Sequence, residues 1–125
     1  MKSRGNLVRL KQFQVNEKRR QLLQLDMMIA EFDRMAGELE YQINAEEKKA
    51  GITDVNHFAY PTFAKAARLR HENLKNSQAD LLQQKATAES LLAEAEAELS
   101  KAEMLESRDA KGREPETGNR SAMIG

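Results

Sequence analysis

Residues 51–61 read GITDVNHFAYP, and this stretch decides the fold because it separates two long segments that favour helix. Gly51 follows Lys48 and Lys49, whose charges suit the negative end of a helix dipole, and glycine is common just past a helix end. Pro61 is typical of the first turn of a new helix. The sequence therefore predicts a helix over about 6–50, a corner over 51–61 and a second helix over about 61–109.

We expect the corner to be ordered, because apolar side chains recur through it and into the next helix: Ile52, Val55, Phe58, Tyr60 and Phe63. The end of the chain has the opposite character. Residues 110–125, AKGREPETGNRSAMIG, have no apolar period and are rich in glycine, proline and charge. This composition predicts a disordered tail.

Apolar residues repeat every seven positions in both predicted helices, which is typical of a coiled coil. The first helix carries Val8, Val15, Leu22, Ile29, Ala36 and Ile43, with Leu25, Phe32 and Leu39 as a second set. The second helix carries Ala67, Leu74, Leu81, Ala88, Ala95 and Ala102, and Leu91, Leu92, Leu99 and Leu105 widen that stripe. Its middle is polar at Ser77, Gln78, Gln84 and Lys85, so we expect a seam of marginal stability.

Charge sets the orientation of the two helices. Residues 1–20 are mainly basic and 21–47 mainly acidic, whereas 61–86 are basic and 87–109 acidic. Only an antiparallel arrangement, pairing residue i with roughly residue 110 − i, places opposite charges side by side. The predicted fold is therefore all-α: an antiparallel two-helix coiled-coil hairpin over 1–109 with a disordered C-terminal tail over 110–125.

The composition restricts the functional class. Charged residues make up 32% of the chain, aromatic residues 5%, and the formal net charge is zero, so no global charge attracts nucleic acid or membrane. Cysteine is absent, which suits a reducing compartment. We see neither a secretory signal nor the roughly 20 apolar residues that a membrane span needs, and we expect a soluble cytoplasmic protein without direct membrane insertion.

No catalytic pattern is visible, and we predict a non-enzymatic protein with no catalytic residues, cofactor, metal or small-molecule substrate. The two histidines, His57 and His71, have no triad or metal-ligand partners in the sequence, and we interpret them as a loop residue and a solvated helix residue. The acidic series on the helices is typical of a solvated face.

Two groups of residues are candidates for partner binding. The first lies at the open end of the predicted hairpin, where apolar residues stand off the main seam among cations: Leu7, Leu10, Lys11, Phe13, Lys18, Arg19 and Arg20. The second is Met27, Met28 and Met35, which fit either a flank of the seam or an adaptable docking surface. The basic end could pair with residues 87–109 within the chain or bind a phosphate backbone.

Two stretches of the chain resemble the FliJ family, the small coiled-coil components of the bacterial flagellar type III export apparatus. They are the opening LVRLKQFQVNEKRRQLLQLD and the inter-helix segment GITDVNHFAYPTFAKAA, the latter similar to alphaproteobacterial members. The resemblance covers about residues 1–109. It implies an antiparallel hairpin like the stalk of the rotary-ATPase γ subunit, in the cytoplasm and peripherally associated with the export apparatus at the inner membrane.

The resemblance also implies partners: the hexameric export ATPase, whose assembly and activity such proteins promote, the export-gate membrane protein and the export chaperones. By analogy, the open end, with Leu7, Leu10, Phe13 and their neighbouring cations, would enter the ATPase ring. A structural or nucleic-acid-associated coiled-coil scaffold is the alternative, although we do not expect nucleic acid as the main partner. A homodimer is a third reading, because a second hairpin could complete a thin seam.

Overall fold

Two long helices pack against each other, and this confirms the predicted all-α class. The structure, a computed structural model, describes the backbone of residues 2–124 and the side chains of residues 5–111. Within that part of the chain it has no strand: α1 spans Lys2–Ala50 and α2 spans Thr62–Ile124. The predicted disordered tail, 110–125, lies almost wholly outside the described side chains and stays a prediction.

The chain forms two compact units. The terminal unit consists of Met1–Leu22 and Ala88–Gly125, and the corner unit consists of Leu23–Thr87. In both units the residue numbers that meet rise along α1 and fall along α2. Lys11 contacts Glu98 in the terminal unit, whereas Asp26 contacts Lys85 and Glu40 contacts His71 in the corner unit. The segments therefore pair antiparallel, as the charge blocks predict.

The seven-residue repeats form the seam between the helices. All six positions of the first repeat in α1 and all six in α2 are buried or half-buried. Most of the fully buried positions hold alanine, and Val15 is the largest completely buried side chain among the described residues. Alanine allows a close approach of the helices but removes little apolar area from water, so the core is thin.

For two of the leucines predicted to widen the α2 stripe, the prediction is wrong. Leu91 and Leu105 are exposed, whereas Leu92 and Leu99 are half-buried. The reason is the phase of the helix: Ala88, Leu92, Ala95, Leu99 and Ala102 follow one another at spacings of three and four residues and form the stripe that faces α1. Leu91 precedes Leu92, a residue of that stripe, and therefore points to one side of it, whereas Leu105 lies beyond the last residue of the stripe, Ala102.

Glycine ends α1 as predicted from the sequence. Gly51 has a φ of 70°, in the left-handed region that side-chain-bearing residues rarely adopt. Its N–H and that of Ile52 both donate to the carbonyl of Glu47, at 2.8 and 3.3 Å. This arrangement caps the helix C-terminus and turns the chain into residues 51–61.

Hydrogen bonds give the corner its order. The N–H of His57 donates to the carbonyl of Asp54 at 3.1 Å, and the N–H of Tyr60 donates to the carbonyl of His57 at 3.0 Å. The Asp54 carboxylate accepts from the N–H of Asn56 at 3.0 Å, and Nδ1 of His57 accepts from the N–H of Ala59 at the same distance. Successive turns with local side-chain acceptors therefore set the path of the backbone.

The expected set of hydrophobic anchors in the corner is mostly wrong. Tyr60 is buried and Ile52 half-buried, but Val55 and Phe63 are exposed and Phe58 is 97% exposed. An aromatic residue in a short turn is buried only if the turn directs it towards a helix, and this turn directs Phe58 into solvent. The corner is therefore held by hydrogen bonds and by one aromatic residue rather than by an apolar cluster.

We predict that cysteines replacing Lys11 and Glu98 will cross-link within one chain. The two wild-type side chains form an ion pair of 3.0 Å, so a short bis-maleimide reagent can bridge cysteines at these positions. Gel electrophoresis and mass spectrometry of dilute protein will detect the intramolecular product, with each single-cysteine variant as a control. Cross-linking only between chains would contradict the antiparallel pairing of the terminal unit.

Candidate interaction surfaces

A polar ladder runs along one flank of the seam in the corner unit. Each rung joins an acidic residue of α1 to a polar or basic residue of α2, and the acids recur every seven residues. The rungs are Asp26–Lys85 at 2.8 Å, Asp33–Gln78 at 2.6 Å, Glu40–His71 at 2.7 Å and Glu47–Arg68 at 2.6 Å. These individual pairs were not predicted from the sequence. The signal for them was present, because the acids recur at the same seven-residue interval as the seam residues.

Gln78 is the buried rung of the ladder. Its amide donates to the Asp33 carboxylate and also to the backbone carbonyl of Ile29, at 3.2 Å, while its own oxygen accepts from Lys75 at 3.2 Å. Every polar atom of this side chain therefore has a partner, which removes most of the penalty for burying an amide. The sequence predicts a polar middle in the α2 seam. Buried Gln78 and half-buried Lys85 lie in the seam as predicted, whereas Ser77 and Gln84 are exposed.

His71 is not the solvated helix residue that the sequence indicated. It is half-buried at a seam position, and its Nε2 lies 2.7 Å from Oε1 of Glu40. The seven-residue interval that joins His71 to Gln78 and Lys85 explains its place, since all three occupy the same heptad position of α2.

The last rung is part of a cluster that joins α1, the corner and α2. The Tyr60 hydroxyl donates to Oε2 of Glu47 at 2.6 Å, and Nη2 of Arg68 donates to the same oxygen at 2.6 Å. Nε of Arg68 donates to the Tyr60 hydroxyl oxygen at 2.7 Å. Glu47 and Tyr60 are both buried. Three side chains from three segments of the chain are thus linked in a closed triangle of charge-assisted hydrogen bonds.

The cluster changes the acidity of its members. Hydrogen bonds from Arg68 and then from Tyr60 lower the pKa of Glu47, because both stabilise the carboxylate. Burial, followed by the bond to Glu47, raises the pKa of Tyr60. The bond to Glu47 is also the main cause of the raised pKa of Arg68. At neutral pH the cluster therefore contains a carboxylate, a neutral phenol and a guanidinium.

The predicted open-end residues fall into two groups. Leu10 and Phe13 are 51% and 61% exposed and stand away from the seam, whereas Leu7 is half-buried beside it. Among the cations, Lys11 and Lys18 are half-buried, and Arg19 and Arg20 are exposed. The apolar part of this candidate site is therefore accessible at two positions.

Three of these four cations have partners within the terminal unit. Lys11 pairs with Glu98 at 3.0 Å, Arg19 with Glu96 at 3.2 Å, and Arg20 with Glu17 at 2.9 Å. The first two pairs cross between the helices and join the basic residues 1–20 to the acidic residues 87–109. Pairs this exposed contribute about 0–1 kcal/mol each, so an acidic partner can compete for Arg19 or Arg20.

The three methionines of the second candidate site differ in direction. Met27 is 64% exposed on the outer face of α1, while Met28 and Met35 are 47% and 36% exposed on the flank of the seam opposite the polar ladder. Beside Met35 lies a groove of about 440 Å³, lined also by Leu39, Leu74 and Ser77. Of the three methionines, Met35 is the one that lines this groove.

The exposed surface of the corner centres on Phe58. Its ring stacks on His57 with 4.7 Å between the centroids. In the same unit, a wider groove of about 890 Å³ is lined by Ile43, Val55, Lys65 and Leu69 together with Glu40 and His71.

Two further kinds of feature can be checked in the described part of the chain, a metal-ligand group and a membrane-spanning helix. Among them no group of three or more histidines, cysteines or carboxylates is placed to hold a metal ion. No helix in the same part of the chain is both long enough and apolar enough to cross a bilayer.

These features define a coiled-coil hairpin with several exposed apolar positions. Comparison with family models, with curated proteins and with solved structures gives no match to this chain. The placement of the candidate residues and the resemblance of the two quoted stretches therefore provide the basis for a functional proposal.

We predict that Gln78→Leu will raise the free energy of unfolding by about 1 kcal/mol, because leucine buries apolar area where an amide is now held. Asp33 is exposed and can return to water, so no buried charge is left without a partner. Urea denaturation followed by circular dichroism will measure the change. The matched control is Gln84→Leu at an exposed position, where we expect a change within about 0.5 kcal/mol. A clear loss of stability in Gln78→Leu alone would show that the hydrogen bonds outweigh the gain in apolar burial.

We also predict that Glu47 contributes to the pH dependence of stability. Its pKa is lower in the folded chain than the ordinary value of 4.5, so its contribution is complete above pH 4.5 and is lost as the pH falls through the lowered folded value. Glu47→Gln should melt several degrees lower than wild type at pH 7, with the difference narrowing towards pH 3. Thermal melts at a series of pH values will test this expectation.

The control for that series is Glu46→Gln, which makes the same chemical change one residue away. It should keep the acid-dependent loss of stability seen in the wild type. If the Glu47 and Glu46 variants have the same melting temperature at pH 7, the cluster does not stabilise the corner.

Proposed function

We propose that this chain is a non-enzymatic coiled-coil component of the bacterial flagellar type III export apparatus. In this role it binds the hexameric export ATPase, promotes assembly and activity of the ATPase ring, and links the ring to the export-gate membrane protein and the export chaperones. The proposal rests first on the resemblance of residues 7–26 and 51–67 to the FliJ family.

One observation gives the proposal its main support: two long helices pack as a hairpin. The segment that connects them, within residues 51–67, is also the one whose resemblance to the family is more specific. That segment contains Tyr60, which joins the ends of both helices through Glu47 and Arg68. The residues behind the resemblance therefore have a defined structural role in the corner.

The terminal unit offers a suitable surface for a protein partner. Leu10 and Phe13 expose apolar area, and exposed apolar residues close together commonly mark interaction sites. Arg19 and Arg20 lie a few residues further along α1, where exposed positive charge would speed encounter with an acidic ring and orient the complex. Exposed Leu10 and Phe13 favour a protein partner over nucleic acid, because apolar side chains gain little from contact with a phosphate backbone.

We predict that the double variant Leu10→Ala with Phe13→Ala will lose most of the stimulation of the cognate export ATPase. Both side chains are largely exposed, so helicity measured by circular dichroism should be unchanged. Truncating two apolar contacts in a binding site commonly weakens binding by roughly tenfold or more. Steady-state ATP hydrolysis at increasing concentrations of the chain will measure the effect.

The matched control is Leu23→Ala with Leu82→Ala, which removes two leucines of similar exposure in the corner unit and should stimulate normally. A second variant, Arg19→Glu with Arg20→Glu, should associate more slowly and with a weaker dependence on salt. Normal stimulation by the Leu10 and Phe13 variant would rule out this surface as the ATPase site. Salt-sensitive binding to duplex DNA without any ATPase response would instead support the nucleic-acid-associated alternative.

A further inference from the structure

Helix α1 carries a second apolar stripe in the corner unit, which we call the methionine strip. Its members follow one another at alternating intervals of three and four residues, the spacing of a coiled-coil contact. They are Leu25, Met28, Phe32, Met35 and Leu39. A helix with two overlapping stripes usually packs against two neighbours, and α2 covers only one of them.

The exposure of the strip shows what α2 leaves uncovered. Leu25, Phe32 and Leu39 belong to the predicted seam, yet they are only half-buried. Met28 and Met35, on the outer side of the strip, are exposed. The opposite flank of the seam carries the polar ladder, whereas this flank borders the groove beside Met35, Leu39 and Leu74. The two flanks of the corner unit therefore differ in character. One carries the polar links and the wider groove beside Glu40 and His71, and on the other exposed Met35 adjoins Leu39 and Leu74 among the polar side chains of Glu38 and Arg70.

We infer that the methionine strip is the contact surface for a second copy of this chain, with the two α1 helices antiparallel about a two-fold axis at Phe32. The order of residues in the strip is the same in both directions: Leu, Met, Phe, Met, Leu. Antiparallel pairing therefore places Leu25 opposite Leu39, Met28 opposite Met35 and Phe32 opposite its own copy. This self-matching is what a symmetric dimer interface requires.

Charges beside the strip are compatible with this register but do not select it. Arg34 pairs with both Glu31 and Glu38 of its own helix, so these acids are partly compensated before association. In the antiparallel register Arg34 of one copy stands close to the level of Glu31 of the second copy, whereas Glu31 is level with Asp33 and Glu38 with Asp26. The direction of pairing therefore rests on the self-matching order of the strip.

The proposed contact also continues an existing interface. Leu25, Phe32 and Leu39 already pack in the seam with α2, so a second copy would enlarge that thin core rather than start a separate one. Five side chains per copy form a small contact, below the size of most stable dimer interfaces. The dimer should therefore be weak and should form at roughly 10–100 µM. This inference is independent of the proposed export function.

Sedimentation velocity over a range of concentrations tests the inference directly. The wild-type chain should shift from monomer to dimer as its concentration rises. Met28→Glu with Met35→Glu should weaken dimerisation by roughly a hundredfold, because each dimer would bury four carboxylates in an apolar contact. Met27→Glu is the matched control: it changes the neighbouring methionine on the outer face, and its dimerisation should equal that of wild type.

Cysteine cross-linking tests the direction of pairing, and the native chain has no cysteine to interfere. Phe32→Cys should form a disulfide with its own copy. A mixture of Met28→Cys and Met35→Cys chains should give mainly the mixed dimer, whereas each variant alone should cross-link poorly.

Several results would overturn the inference. A wild-type chain that stays monomeric up to about 500 µM would do so, and so would equal weakening by Met27→Glu. Efficient disulfide formation by the Met28→Cys variant alone would show a parallel dimer instead. If the methionine variants lose helicity, the cross-linking of Phe32→Cys still decides whether the strip lies at a contact between copies.

Discussion

The carboxylate of Glu47 is the constraint on which the corner unit depends. It is buried, and its Oε2 accepts hydrogen bonds from Tyr60 and Arg68, while the carbonyl of the same residue accepts the two bonds that cap α1. A buried carboxylate without partners would be strongly unfavourable. The end of α1, the path of the corner and the start of α2 are therefore coupled, since none can move without leaving this charge unpaired.

The remainder of the corner unit combines a thin apolar core with specific polar links. Alanine fills three of the six buried apolar positions of this unit, so apolar burial alone distinguishes poorly between alternative alignments of two helices. The polar ladder supplies that discrimination, because a shift by one residue would separate each acid from its partner. Its rungs contribute less to the total stability than to the choice of one alignment, as single buried polar residues do in other coiled coils.

The sequence is sufficient to predict two helices, their seam and their antiparallel direction, because heptads and charge blocks are summed over many residues and tolerate local errors. The sequence is not sufficient to predict the burial of single side chains. Phe58 resembled an anchor, but its burial depends on the direction of a turn that four local hydrogen bonds determine. His71 resembled a surface residue because its partner, Glu40, is distant in the sequence. The candidate residues at the open end could be chosen from the sequence. Which of them are exposed could not, because exposed Leu10 and Phe13 differ from half-buried Leu7 in how the helix is rotated relative to the seam.

The regularity of the ladder has a consequence for motion along the helix axis. Because its acids recur every seven residues and so do Lys85, Gln78 and His71, sliding one helix by a full heptad would offer Asp33 either His71 or Lys85 in place of Gln78. The ladder therefore selects the heptad phase of the alignment but does not distinguish between alignments that differ by a whole heptad. Among the described residues, the triangle formed by Glu47, Tyr60 and Arg68 is not repeated along the helices, so it distinguishes the observed alignment from one shifted by seven residues.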